Sequence, residues 1–193
     1  MSTIIFIRHG ESLANTTHTL TSDTNGYPLT DTGMAQAAGI AETIGNTKID
    51  GFYTSPILRA VQTAQIISEK CGLGPKVDKR LMERRMGKMN NMAFGSQDDM
   101  NYAMMEEIKS GYKKGMESWK DLQKRLRSFA ESVRSGTVIA VTHHDPILAA
   151  LGIVDNRYDD YDSTTKIAMA SVTTIDFEKK AIININGNAV PSI

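Results

Sequence analysis

The sequence predicts an α/β fold: a three-layer α/β/α sandwich with a mostly parallel central sheet. Three observations carry this reading. Short β-branched runs alternate with amphipathic helical stretches along the chain. No internal repeat, low-complexity tract or Pro/Gly/Ser linker divides it. A length of 193 residues suits one domain with a sizeable core and is short for two, so residues 1–193 are read as a single domain.

The elements follow in order. Thr3 to Ile7 reads as a buried strand. A polar loop from Glu11 to about Leu29 is long for a compact domain, and loops of that length are often functional. Thr30 caps a helix running to about Gly45, with Met34, Ala37, Ala38, Ala41 and Ile44 as one apolar stripe. Phe52 to Thr54 is a second strand. Ser55 as N-cap and Pro56 as first helical residue then start a helix that ends near Gly72. Val77 to Leu81 is a third strand candidate. Glu83 to Gly115, rich in Met and polar residues, reads as mixed loop and helix. Glu117 to Arg134 is an amphipathic helix with Trp119, Leu122, Leu126, Phe129 and Val133 on one face. Thr137 to Val141 is a buried strand, Asp145 to Ile153 a short helix, and Ser171 to Phe177 with Ala181 to Ile185 a terminal strand pair.

Composition excludes several function classes. Lys plus Arg equals Asp plus Glu at 22 each, which argues against a general nucleic-acid binder. The single cysteine, Cys71, forms no internal disulfide and leaves no cysteine zinc site. The apolar run Ile4 to Ile7 stops at Arg8, too short for a signal segment or membrane span. These features predict a cytoplasmic protein that binds neither nucleic acid nor membrane. A homodimer is the expected assembly.

Three segments place polar residues just after strands: Arg8-His9-Gly10-Glu11-Ser12, Ser55-Pro56-Ile57-Leu58-Arg59-Ala60 with Gln62-Thr63-Ala64, and Val141-Thr142-His143-His144. In a parallel sheet they meet at one edge, where ligands bind. A phosphoryl group carries charge on three oxygens, and its transfer needs positive charge positioned around it. Arg8 and Arg59 are bidentate donors for those oxygens. A neighbouring guanidinium keeps His9 neutral and nucleophilic, provided an acceptor such as a backbone carbonyl fixes its tautomer. His143 adds a donor in the transition state. Glu83 protonates the leaving oxygen, its pKa raised by the like charge of phosphate.

These blocks resemble the histidine phosphatase superfamily, the phosphoglycerate mutase-like family. Leu81-Met82-Glu83 with Gly87 resembles its acid block, and Asn15, Leu29-Thr30 with Gly33 and Gln36, and Glu117-Ser118 match lesser motifs. The resemblance implies that His9 is the phosphorylated residue and that no metal is required. The catalytic set is then His9, Arg8, Arg59, Glu83 and His143. Asn15, Thr21, Ser22, Arg84 and His144 are the expected substrate contacts, although a continuing strand would point His144 away from His143. The substrate is a small phosphorylated metabolite.

Glu83-Arg84, Asn15 and Thr21 resemble the mutase pattern, for which 2,3-bisphosphoglycerate would be the cofactor. Other features depart from it. Met86 stands where mutases carry an aromatic, Ser22 and Asn91 replace glycines, and His144 stands where many members have glycine. The stretch from Glu83 to His143 is short, and the chain ends soon after its last strand. These departures favour a compact phosphomonoesterase, which needs no cofactor, over a mutase. An inactive phosphate-binding module is disfavoured by the intact set, and a metallohydrolase by the absence of spaced histidine ligands.

Overall fold

The computed structural model describes residues 2–44, 47–161 and 164–191. The strands are β1 (Ser2–Arg8), β2 (Thr19–Leu20), β3 (Gly51–Thr54), β4 (Lys76–Val77), β5 (Met92–Ala93), β6 (Gly136–Thr142), β7 (Val172–Asp176) and β8 (Ala181–Gly187). The α-helices are α1 (Leu13–Thr16), α2 (Asp31–Thr43), α3 (Leu58–Cys71), α4 (Gln97–Lys109), α5 (Trp119–Ser132) and α6 (His144–Leu151). The main sheet has the order β4-β3-β6-β1-β7-β8. β4, β3, β6 and β1 run parallel, β7 runs antiparallel to β1, and β8 runs antiparallel to β7.

Side chains alternate across the pleat, and this divides the core in two. Ile4 and Phe6 of β1 join Val138 and Ala140 of β6 under α5 and α6. Ile5 and Ile7 join Ile139 and Val141 on the other face, under α2 and α3. The result is the predicted three-layer α/β/α sandwich. A third cluster of Leu20, Met86, Met89, Met104 and Met116 seats α4 and the β2–β5 ribbon beside it.

Several boundaries differ from the sequence reading. The end placed at Gly45 lies outside the described residues. Ser55 does not cap α3: Ile57 holds the N-cap position and Leu58 opens the helix, because the Ser55 hydroxyl is committed to His143 and the Ile57 amide. The third strand shrinks to β4 at Lys76–Val77, and Asp78 caps a 3-10 turn over Lys79–Leu81. The loop from Glu11 to Leu29 contains α1 and β2, and the segment after Glu83 contains β5 and α4. β6 stops at Thr142, so His143 caps α6 and His144 begins it.

The loop after β1 is held by a close approach of two glycines. A Cβ on Gly10 would lie 2.3 Å from the Gly33 carbonyl oxygen, and one on Gly33 would lie 1.9 Å from the Glu11 oxygen. Thr30 caps α2 by accepting from the Gly33 amide at 3.0 Å and donates to the Glu11 carboxylate at 2.7 Å. Gln36 accepts from the Glu11 amide at 2.8 Å. The Leu29-Thr30, Gly33 and Gln36 signals thus dock α2 against the His9 loop.

Gly33→Ala will cost about 1–3 kcal/mol by overpacking and will also lower activity, because its Cβ displaces the His9 loop. Gly39→Ala, in the same helix but with open space around the added methyl, will be neutral or stabilising by up to about 1 kcal/mol. Urea unfolding of the two variants checks this; equal losses would mean the close packing is not specific to Gly33.

Candidate active site

The carboxyl ends of β1, β3 and β6 converge. Arg8 closes β1, Ser55 follows β3, and His143 follows β6. Arg59, on the first turn of α3, and Glu83, on the segment after the 3-10 turn, complete the edge. A cavity of about 410 Å³ opens there, its wall including Arg8, His9, Arg59 and Glu83.

The His9 ring is fixed at both nitrogens. Its Nδ1 lies 2.7 Å from the Gly10 carbonyl oxygen, which only accepts, so Nδ1 carries the proton. Nε2 therefore holds the lone pair and accepts from the Arg59 Nε at 3.0 Å. Burial, then the charges of Arg59 and Arg8, hold the pKa of His9 well below its ordinary value. The Gly10 amide donates to Thr63 Oγ1 at 3.2 Å, and Thr63 donates to the Arg59 carbonyl at 2.8 Å. Gln62 accepts from the Leu29 amide at 2.9 Å. The Gln62-Thr63 pair thus ties α3 to the loop that carries His9.

Arg59 also donates through Nη2 to the Thr21 carbonyl at 3.1 Å, leaving Nη1 buried without a partner. Burial draws its pKa down to about 10, against the opposing charge of Glu83. Arg8 donates through Nη1 to the Ile167 carbonyl and keeps Nε unpartnered. These orphaned guanidinium atoms are donors of the kind an oxyanion takes. His143 is fully buried behind His9, the ring centroids 5.0 Å apart. Its Nε2 lies 2.8 Å from Ser55 Oγ, while Nδ1 has no partner. Burial first, then Arg59, His9 and Arg8, lower its pKa.

Glu83 is buried and accepts from the Arg84 amide at 2.8 Å. Its pKa is raised by burial and then by Asp145, without any phosphate. Asp145 behaves oppositely. Burial works against its charge, but the His144 hydrogen bond and the charges of His144, Arg84 and Arg8 hold its pKa below the ordinary value. The two carboxylates on one cavity are thereby pushed in opposite directions, Glu83 toward the protonated form and Asp145 toward the ionised one.

Asn15, Thr21 and His144 reach the cavity wall. Ser22 and Arg84 do not. Both the amide and hydroxyl of Ser22 are spent on Asn90 Oδ1. Arg84 follows Glu83 but turns into the core at 0% exposure. There its Nε donates to the Glu117 carbonyl at 2.7 Å. Sequence reasoning missed Asp145, Ser55, Tyr161 and the Lys166–Met169 wall. Asp145 carried a signal, being an acid on the first turn of a short helix, but that position reads as a dipole contact. Among the described residues no group of three His, Cys, Asp or Glu could hold a metal ion.

The shifted groups make stability depend on pH. Between pH 6.5 and their depressed folded values, His9 and His143 bind protons only when unfolded. Stability there falls as pH falls, by up to about 1.4 kcal/mol per pH unit per histidine. Glu83, raised above 4.5, holds a proton only when folded, so its contribution grows as pH falls. Lowering the pH from about 7 to about 5.5 will therefore lower the melting temperature, and Glu83→Gln will remove the opposing contribution that sets in below the raised Glu83 value. Calorimetry across that range checks both slopes.

Comparisons with known proteins agree with this geometry. Residues 4–186 match the histidine phosphatase superfamily (branch 1). The chain is 35% identical over 185 residues to a 2,3-bisphosphoglycerate-dependent phosphoglycerate mutase of Thermoplasma acidophilum, covering 96% of this chain and 92% of that one. Its fold is similar to that of Bacillus stearothermophilus YhfR, with a TM-score of 0.79 at 21% identity, covering 100% of this chain and 99% of that one. It is also similar to a mycobacterial glucosyl-3-phosphoglycerate phosphatase, with a TM-score of 0.75 at 22% identity over 97% and 99% of the two chains. With its Arg8-His9-Gly10 loop, Arg59, Glu83 and His143 gathered at one sheet edge, the chain belongs to the histidine phosphatase superfamily, branch 1.

Proposed function

We propose that the protein transfers a phosphoryl group through a phosphohistidine at His9 and hydrolyses a small phosphomonoester. The observation that carries this reading is the His9 ring, with Nδ1–H on the Gly10 carbonyl and an Nε2 lone pair facing Arg59. Arg8, Arg59 and His143 surround the phosphoryl oxygens. Nε2 attacks phosphorus, the ester P–O bond breaks, and Glu83 gives its proton to the leaving oxygen. Water then attacks the phosphohistidine. The P–N bond breaks, Glu83 takes the water proton, and inorganic phosphate leaves. Asn15, Thr21 and His144 contact the leaving half, while Ser22 and Arg84 act from outside the wall.

The second reading is a 2,3-bisphosphoglycerate-dependent phosphoglycerate mutase, favoured by the likeness to the Thermoplasma acidophilum protein over nearly the full length of both chains. The same cations would hold the bisphosphate, which supplies the phosphoryl group that primes His9. The hydrolase reading is supported by the departures at Met86, Ser22 and Asn91. Among the described residues no helix is long and apolar enough to cross a membrane. Action in the cytoplasm on a small phosphorylated metabolite, as a homodimer, completes this reading.

A panel of phosphorylated metabolites, run with and without 2,3-bisphosphoglycerate, separates the two. Phosphate release without the bisphosphate supports hydrolysis; isomerisation that requires it supports the mutase. Either activity will label His9 with an acid-labile phosphate when labelled substrate is quenched and mapped. Label that persists in His9→Ala would overturn both.

Glu83→Gln separates acid catalysis from phosphate capture. In single turnovers it will slow the first step for alkyl phosphates by about 10²–10⁴-fold, and much less for an aryl phosphate whose phenol leaves without a proton. Equal slowing of both would show that Glu83 places substrate rather than protonating it.

A further inference from the structure

Two buried imidazoles stand side by side at the sheet edge, and their partners differ in kind. His9 Nδ1 faces the Gly10 carbonyl, which only accepts. His143 Nε2 faces the Ser55 hydroxyl at 2.8 Å, and a hydroxyl can donate or accept. The other contacts of Ser55 decide which it does. Ser55 is fully buried, and its Oγ already accepts from the Ile57 amide at 3.3 Å. Among the described residues its hydroxyl proton has one acceptor in reach, the Nε2 of His143. A buried hydroxyl proton with no acceptor is costly, so Ser55 donates and Nε2 accepts. Burial and the charges around it lower the His143 pKa, so near neutral pH the ring carries a single proton. With Nε2 accepting, that proton sits on Nδ1. Nδ1 is buried without a partner, in a ring whose centroid is 5.0 Å from that of His9.

We propose that Ser55 is a positioning residue that fixes the tautomer of His143, so that His143 offers an Nδ1–H donor to the phosphoryl group carried on His9. This rests on the reading of the site as a phosphoryl-transfer centre and adds a residue to that machinery. One tautomer is thereby used in two opposite ways. A carbonyl at His9 Nδ1 frees the Nε2 lone pair for attack. A hydroxyl at His143 Nε2 frees the Nδ1 proton for donation. Both rings are neutral near pH 7, so the chemical nature of the partner, and not charge, sorts nucleophile from donor. A donor fixed in advance needs no reorganisation when charge develops on the phosphoryl oxygens. The other tautomer would turn a lone pair toward those oxygens. Ser55 is itself held firmly: its amide donates to the Val141 carbonyl at 3.0 Å, two residues before His143 on the same strand end. Among the described residues Nε2 has no other hydrogen-bond partner, so loss of the hydroxyl releases the ring proton to either nitrogen.

Nitrogen NMR of the His143 ring in the resting protein near neutral pH tests the lock directly, the signals being assigned by their loss in His143→Gln. Wild type will show Nδ1 protonated and Nε2 bare. Ser55→Ala will show a mixture of tautomers or the reverse one, and Ser55→Thr, which keeps the hydroxyl, will restore the wild-type pattern. In turnover, Ser55→Ala will lower kcat by about 10–100-fold with KM changed by less than about threefold, a part of what loss of a whole donor costs. It will also weaken orthovanadate binding by about tenfold or more, because that ion imitates the transferring group. A wild-type ring with the proton on Nε2, or on both nitrogens, overturns the proposal without any variant and whether or not the variants fold. An unchanged tautomer in a folded Ser55→Ala overturns it too, and leaves Ser55 a purely structural partner of Ile57. If wild type turns over no phosphorylated compound, the phosphoryl-transfer reading fails by itself. The ring NMR and orthovanadate calorimetry on wild type and Ser55→Ala then decide the lock independently.

Discussion

The rest of the structure depends on how one imidazole is held. His9 is useful only if Nε2 keeps its lone pair, and that requires the Nδ1 proton to have an acceptor within the protein. The Gly10 carbonyl supplies it. That carbonyl is aimed by a turn in which Gly10 touches Gly33 backbone to backbone and Thr63 takes the Gly10 amide. The docking of α2 and α3 against the end of β1 is thus also the orientation of the His9 ring. Residues far apart in sequence serve one hydrogen bond.

The same site carries a stability cost. Arg8 and Arg59 are buried with unpartnered guanidinium atoms, and burial disfavours the charged forms of His9 and His143. Buried charges are expensive unless paired. Glu83 and Asp145 offset part of this cost, but unequally. Asp145 is held toward its ionised form by His144 and Arg84, and its charge adds to burial in raising the pKa of Glu83. The imbalance that burdens the fold sorts the carboxylates into different chemical roles. It also leaves positive potential where a phosphoryl group would sit.

The roof of the cavity is built differently. α4 and the β2–β5 ribbon pack through Leu20, Met86, Met89, Met104 and Met116 rather than through branched residues. Methionine fills irregular space and adapts to its contents. The roof is pinned to the loop after β2 by Asp23, which accepts from both Asn90 and Asn91. A rigid sheet edge thus faces softer material across the cavity.

The sequence by itself determined the layered α/β architecture, because period-two and helical apolar patterns are local and survive without knowledge of neighbours. It also determined which edge carries the chemistry, since Arg8-His9, Ser55 to Arg59 and His143 each follow a strand. It could not place residues within the edge. Ser55 and Pro56 read locally as a helix start, yet a hydrogen bond to His143, 88 positions away, takes the serine hydroxyl. Arg84 resembles a substrate contact but turns into an aromatic cage assembled from three distant segments. Asp145 was unremarkable until the fold set His144, Arg84 and Glu83 around it. Long-range electrostatics and side-chain direction depend on what arrives from elsewhere in the chain, and only the tertiary structure decides that.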